Sequence, residues 1–332
     1  MTPQFHPSLV NGPFDDPAVY VDFLFERRAL LFDLGDIRAL PPRKILRLTH
    51  IFISHTHIDH FIGFDHLLRL CLGREKRLHL FGPPGFTAQV EHRLASYTWN
   101  LVESYDTDFT LVATELHPDN RSLAAEFHCC RRFRRENDRT EQVQDGILLD
   151  EEAFRIRAAC LDHKTISIAY ALEEKSHVNI MKNRLLELGL PTGPWLAELK
   201  RDIVRGEPDD KRFHAWWHAT EGLMERFFSL GELKALILQV VPGQKIAYVT
   251  DAAYTGANAA KIVALARGAD YLFIEATFLD SDRELAGERH HLTARQARLL
   301  AREAGVVRAI PFHFSPRYQG MEDLLREELE RE

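Results

Sequence analysis

Apolar residues along this chain gather into short runs that stop at a carboxylate or an imidazole. Thr49-His50-Ile51-Phe52-Ile53-Ser54 leads into His55, and Phe154-Arg155-Ile156-Arg157-Ala158-Ala159-Cys160-Leu161 leads into Asp162 and His163. Lys245-Ile246-Ala247-Tyr248-Val249-Thr250 leads into Asp251, and Val306-Val307-Arg308-Ala309-Ile310-Pro311-Phe312 leads into His313. Runs of this length read as buried β-strands. Residues 18–25 and 29–33 are expected to form a hairpin joined by Glu26-Arg27-Arg28, and 269–275 is a further buried strand. The spacing predicts helices over 60–71, 86–97, 256–267, 293–304 and 320–331. This alternation places the chain in the α/β (α+β) class, with two sheets packed face to face and helices outside, an αββα architecture.

The segment 173–240 interrupts the pattern, so the expected organisation is one domain over 1–332 with a helical arm or lid inserted at 173–240. His177 to Leu188 has helical spacing, Pro191 and Pro194 follow, and Trp216-Trp217 stand beside His214 and His218. A further helix is expected from Glu221 to Ser229. Two roles stay open for the insert. Lys200, Arg201, Arg205, Lys211 and Arg212 could meet phosphates, which position a nucleic acid without reading it. Alternatively its Trp, Phe and Leu residues cover an active-site mouth or a homodimer surface. Asp202, Glu207, Asp209 and Asp210 dilute the positive charge. The strongest basic run, Arg131-Arg132-Phe133-Arg134-Arg135, reads first as a solvated cluster on a hairpin. Placed near a site, it could guide a phosphodiester backbone, with Phe133 free to stack on a base.

Bulk properties narrow the class. The 332 residues are 45% hydrophobic and 27% charged, as in an ordinary globular protein. No apolar run is long enough to span a membrane, and the N-terminus lacks a basic-then-apolar signal, so a cytoplasmic enzyme with no membrane partner is expected. Four cysteines, including adjacent Cys129-Cys130, do not form a disulfide framework, and Cys71 and Cys160 read as small buried residues. A net charge of −7 argues against indiscriminate nucleic-acid binding while permitting a local basic face.

The densest chemistry is His55-Thr56-His57-Ile58-Asp59-His60. Three imidazoles and a carboxylate in six residues suit a pair of divalent ions such as zinc. Ligands of α/β proteins bind outside the carboxyl ends of strands. Four strands that each deliver a His or Asp there imply one shared site.

These residues, with His163, Asp251 and His313 downstream, resemble the metallo-β-lactamase superfamily. Within it the chain is most similar to the ribonuclease Z family, endonucleases that mature tRNA 3′ ends. Phe81-Gly82-Pro83-Pro84-Gly85, the block from His163 to Tyr170, and the Gly-Pro-containing segment from Leu188 to Lys200 resemble family blocks. So do Glu275-Ala276-Thr277-Phe278, His291-Leu292-Thr293, and the closing motif from His313 to Tyr318. The similarity spans roughly residues 45 to 320.

The resemblance implies that His55, His57 and His163 hold one Zn2+, that Asp59, His60 and His313 hold the other, and that Asp251 bridges them. Mn2+ is an alternative metal. It further implies a metal-bound hydroxide as attacking group, with Asp59 orienting the water. His291 would donate the proton to the leaving oxygen, and Glu275 would keep that ring protonated. His290 competes with His291 by position, and the Thr293 match selects His291. The implied function is endonucleolytic removal of precursor tRNA 3′ trailers. The runner-up is a same-fold hydrolase of a small ester, lactone or phosphodiester with the insert as lid. Departures include the opening Phe5-His6-Pro7-Ser8-Leu9, where the family strand bearing Phe-Leu-Gly-Thr is expected to be altered or missing. Thr250-Asp251-Ala252 replaces Gly-Asp-Thr, and the family's Pro-x-Lys-Gly-Arg loop has no clear equivalent, with Pro242-Gly243-Gln244-Lys245 near its place but lacking the arginine.

Overall fold

The altered opening still makes a strand. In the computed structural model, which describes residues 4–175, 177–219, 222–241 and 243–330, Phe5–Leu9 (β1) pairs antiparallel with Val19–Phe23 (β2). Of the two expectations, an altered first strand or a missing one, the fold shows the altered strand. Pro7 is tolerated because β1 lies at the sheet edge, where a lost N–H breaks no central ladder. Phe5 packs edge-on against Phe23, ring centres 4.8 Å apart.

From that edge the strands follow chain order. Ala29–Phe32 (β3), Leu48–Phe52 (β4), Lys76–Gly82 (β5), Phe109–Leu116 (β6), Arg121–His128 (β7) and Arg135–Gln142 (β8) complete an eight-stranded sheet. Neighbours from β3 to β6 are parallel, and the flanking pairs are antiparallel. Alternation along β4 and beyond sorts the faces. Ile51 and Ile53 join Leu67 and Leu68 of the helix Phe64–Cys71 and Phe86 and Val90 of the helix Phe86–Ala95 in one core. The opposite face presents Phe32 and Phe52.

The second sheet starts with Ile147–Asp150 (β9), Phe154–Asp162 (β10) and Ile166–Glu174 (β11). The chain then makes His177–Ile180 (β12), Arg212–Ala219 (β13), Gly222–Ser229 (β14) and Leu238–Val241 (β15), which form two separate two-stranded sheets. It resumes the large sheet with Lys245–Val249 (β16), Tyr271–Glu275 (β17) and Arg308–Phe312 (β18), in the order β18-β17-β16-β11-β10-β9. Between the sheets, Phe32 stacks on Tyr248 at 5.6 Å and Phe52 meets Tyr170 at 5.4 Å. The helices Gly256–Ala266 and Ala294–Glu303 cover the far face, where Ile262, Ala297 and Leu300 pack with Leu272 and Ile274. Helix, sheet, sheet and helix make the αββα sandwich.

Two compact units result. Residues 149–155 and 173–244 form one, and the other described residues form the second. The smaller has its own core of Trp195, Leu199, Phe213, Leu230, Leu233 and Ile237. It is less helical than its spacing suggests. His177–Leu188 divides into β12 and a short helix, Lys182–Glu187. The helix expected from Glu221 is the strand β14 over its described residues; Glu221 itself, like Pro242 and Arg331, lies outside them. Cross-strand pairing decides the matter. His214 stacks on Phe227 at 4.9 Å, and the Arg212 guanidinium sits over the same ring at 4.0 Å. Two of the insert's basic residues have carboxylate partners: Arg205 with Glu152 at 2.8 Å, and Lys211 with Asp202 at 3.1 Å and Glu207 at 3.3 Å.

The basic run at 131–135 keeps Arg131, Arg132 and Arg134 exposed between β7 and β8, as the solvated-cluster reading expects, and only the stacking role of Phe133 is corrected. Arg132 and Phe133 both adopt left-handed backbone, which turns the Phe133 ring inward against Trp99 at 4.8 Å. It is buried and cannot stack on a base. Arg131, Arg132 and Arg135 pair with Glu136, Glu103 and Asp138.

Candidate metal centre

The ligand candidates converge because each leaves its strand at the same edge. β4 runs through Ile53 and Ser54 into His55, and a one-turn helix, Ile58–Phe61, carries Asp59 and His60. The expected single helix from 60 is broken at Gly63, where a Cβ would lie 2.3 Å from the Gly35 carbonyl oxygen. Leu34 N–H donates to the His60 carbonyl, and Gly63 N–H to that of Leu34, which ties this loop to the end of β3. Asp33, Asp251 and His313 leave their strands with φ of 56°, 43° and 58°. Non-glycine residues rarely adopt that region, and when they do they cluster at functional sites.

Asp251 stands at the centre. Its Oδ2 lies 3.5 Å from His55 Nε2 and 3.3 Å from His163 Nε2. Its Oδ1 lies 3.5 Å from His60 Nε2 and 3.2 Å from His313 Nδ1. Asp59 Oδ2 lies 3.3 Å from both His60 Nε2 and His313 Nε2. His57, more exposed than its neighbours, places its ring 4.3 Å from that of His55 and 5.4 Å from that of His163. Two donor groups emerge, His55, His57, His163 and Asp251 on one side and Asp59, His60 and His313 on the other. All seven sequence-expected ligand residues are thus together.

The donor chemistry fits divalent cations. His55 Nε2, His60 Nε2 and His313 Nδ1 are buried with no hydrogen-bond partner. His163 Nδ1 donates to the His290 carbonyl at 2.8 Å, which fixes the tautomer and leaves Nε2 a free lone pair. Burial holds His55 down to about 2, and burial chiefly lowers His57, so both are neutral as ligands must be. Lone pairs facing carboxylate oxygens repel unless a cation lies between them. The same surplus of negative charge appears at His60. Burial opposes its protonation, yet the Asp251 and Asp33 carboxylates raise it well above the ordinary range.

Sequence reading missed the support beneath these candidate ligands. Asp33, fully buried, accepts from His60 Nδ1 at 2.7 Å, from Ser54 N–H at 2.6 Å, from Ser54 Oγ at 2.8 Å and from Tyr248 Oη at 2.6 Å. Since Ser54 gives its proton to Asp33, its oxygen is left to accept from His55 Nδ1 at 3.0 Å. One carboxylate therefore orients two histidines. Its signal was present, since Asp33 ends the apolar run of β3 just as His55 follows β4. Asp33→Asn should lower metal affinity about 10- to 100-fold, the usual effect of losing a partner behind a ligand. Titration against a chromogenic chelator measures it; unchanged affinity would remove Asp33 from the support.

Glu275 and His291 lie beside the cluster. Glu275 Oε1 accepts from Ala252 N–H at 2.6 Å, and Oε2 accepts from Thr277 Oγ1 at 2.6 Å and His291 Nδ1 at 2.8 Å. Those bonds occupy its oxygens, which makes Glu275 a partner of His291 rather than a ligand, although both group with Asp251 and His313 by distance. The His291 ring lies 4.8 Å from that of His163 and 5.6 Å from that of His313. Burial disfavours its imidazolium, but the Glu275 carboxylate prevails and raises it to about 9. His290 contributes its carbonyl to His163 instead.

Comparison with known proteins agrees with this geometry. Residues 231–314, which include Asp251, Glu275, His291 and His313, match the family model described as a beta-lactamase superfamily domain. Ribonuclease Z of Deinococcus radiodurans is 30% identical over 317 residues, covering 94% of this chain and 90% of that protein. Ribonuclease Z of Brevibacillus brevis is 31% identical over 324 residues, covering 92% and 83%. Among solved structures, human tRNase Z, short form, superposes with a TM-score of 0.53 at 20% identity, covering 95% of this chain and 93% of that one. The Bacillus subtilis metallo-beta-lactamase fold protein YhfI gives 0.53 at 14% identity, covering 97% and 90%. These structures share the fold, and the relatives' identity and coverage carry the assignment further: this chain belongs to the ribonuclease Z family.

Proposed function

We propose that the chain is a dizinc phosphodiesterase that cuts precursor tRNA on the 3′ side of the discriminator nucleotide, acting in the cytoplasm where that substrate is found. The observation that carries this reading is the Asp251 carboxylate, whose two oxygens face two separate histidine groups, in a chain of the ribonuclease Z family. His55, His57 and His163 would hold one ion, Asp59, His60 and His313 the other, and Asp251 would serve both. Nitrogen and carboxylate donors suit zinc, with Mn2+ as the alternative. Two such ions would lower the pKa of a water and neutralise charge on a phosphate.

The chain's own residues supply the remaining steps. Asp59, kept ionised by His313 and His60 against the effect of burial, can align an attacking water through its carboxylate. The water gives one proton to solvent by way of the Asp59 carboxylate, and its oxygen bonds to phosphorus as the bond from phosphorus to the 3′ oxygen breaks. His291 gives its proton to that leaving oxygen, so the tRNA keeps a 3′ hydroxyl and the trailer a 5′ phosphate. Glu275 holds the ring through Nδ1, which points Nε2 outward as the donating atom. Thr277 and Ala252 fix Glu275 in turn.

One observation favours a second reading, hydrolysis of a small ester, lactone or phosphodiester. Arg205 and Lys211, two of the insert's phosphate-binding candidates, already pair with carboxylates. Incubating metal-loaded protein with a precursor tRNA and with bis(4-nitrophenyl) phosphate separates the readings. Preference for the precursor in kcat/KM supports the nuclease. Among the described residues no helix is long and apolar enough to cross a membrane.

A further inference from the structure

Beside His291 and His313 opens a cleft of about 390 Å³, lined also by Thr277, Ser315, Arg289 and Arg317. Neither arginine serves the metal ligands. Arg289 ends the helix Arg283–Arg289 and is exposed, and among the described residues no carboxylate lies within ion-pair distance of it. Arg317 is 46% exposed and held only loosely, 3.7 Å from Asp282. The rest of the lining is apolar, from Phe278, Leu285, Phe314 and Pro316. Two guanidinium groups at the margin of a phosphodiester-cleaving centre, one of them unpaired, are placed for an anion that bears several acceptor oxygens. Guanidinium meets phosphate through paired N–H donors, and a nearby apolar wall strengthens the contact.

Resting on the nuclease reading above, we propose that Arg289 and Arg317 form a subsite for the phosphate next to the scissile one in the RNA chain. The adjacent phosphate then fixes how far the strand advances over His291, so these arginines position the substrate and take no part in bond breaking. A substrate with a single phosphate cannot use the subsite.

The test measures Arg289→Ala, Arg289→Lys and the control Arg302→Ala, an exposed arginine on the helix Ala294–Glu303. Arg289→Ala should raise KM for precursor tRNA about tenfold, as loss of a charged hydrogen bond does, with a smaller change in kcat. The loss in kcat/KM should be at least several-fold larger on precursor tRNA than on bis(4-nitrophenyl) phosphate. The slope of log binding constant against log salt should shallow by about 0.7 to 0.9, one phosphate contact. Arg289→Lys should retain the slope, and Arg302→Ala should match the unmodified protein. Equal losses on both substrates, or a salt slope unchanged in Arg289→Ala, would overturn the subsite. Failure of the unmodified protein to cut precursor tRNA would overturn the nuclease reading, and the subsite with it.

Discussion

Protein carrying Asp251→Ala is expected to purify with metal missing from both positions and to lose turnover by at least the order of 10⁴-fold, as when a central catalytic group is removed. Among the described residues, Asp251 is the one carboxylate whose oxygens face both histidine groups. His163→Ala should instead deplete mainly one position, because His163 approaches only Oδ2. Elemental analysis of each variant reads the difference. Asp251 has a φ of 43°, which alanine tolerates poorly. Asp251→Asn accepts that backbone more readily and separates strain from ligand loss. Two full equivalents of metal in both variants would rule out a shared ligand.

His291→Ala should bind near-normal metal yet lose roughly a hundred- to ten-thousand-fold in kcat, the usual worth of a general acid. His291 makes its hydrogen bond to Glu275 and supports no ligand directly. The loss should shrink sharply when the leaving group is nitrophenolate, which departs without a proton. Rates on nitrophenyl and alkyl phosphodiesters, measured side by side, decide this. Equal losses would make His291 a positioning residue.

Much of the candidate site was legible because its candidate ligands follow buried strands. A His or Asp after an apolar run stands out locally, and Asp251 and His313 were visible for that reason. Asp33 carries the same mark but acquires meaning only when β3 lies beside β4, which brings it to Ser54, 21 residues along the chain. Choosing His291 over His290 as the candidate acid needed the motif match, and the two residues have different surroundings in the structure. His290 sits in left-handed backbone and turns its carbonyl toward His163, while His291 turns its ring toward Glu275. The insert was misread where periodicity is ambiguous. Leu223, Phe227 and Phe228 suit a helical stripe, but they pair with His218, His214 and Phe213 across β13 in a hairpin. Phe133 looked exposed among arginines because nothing local announces the left-handed turn that buries it.

The most direct test is to map the ends made from a precursor tRNA with a 3′ trailer by the metal-loaded protein, with chelated protein as control. The expected product is a tRNA ending in a 3′ hydroxyl directly after the discriminator nucleotide, together with a trailer bearing a 5′ phosphate. Intact precursor alongside brisk hydrolysis of a small ester would contradict the nuclease assignment.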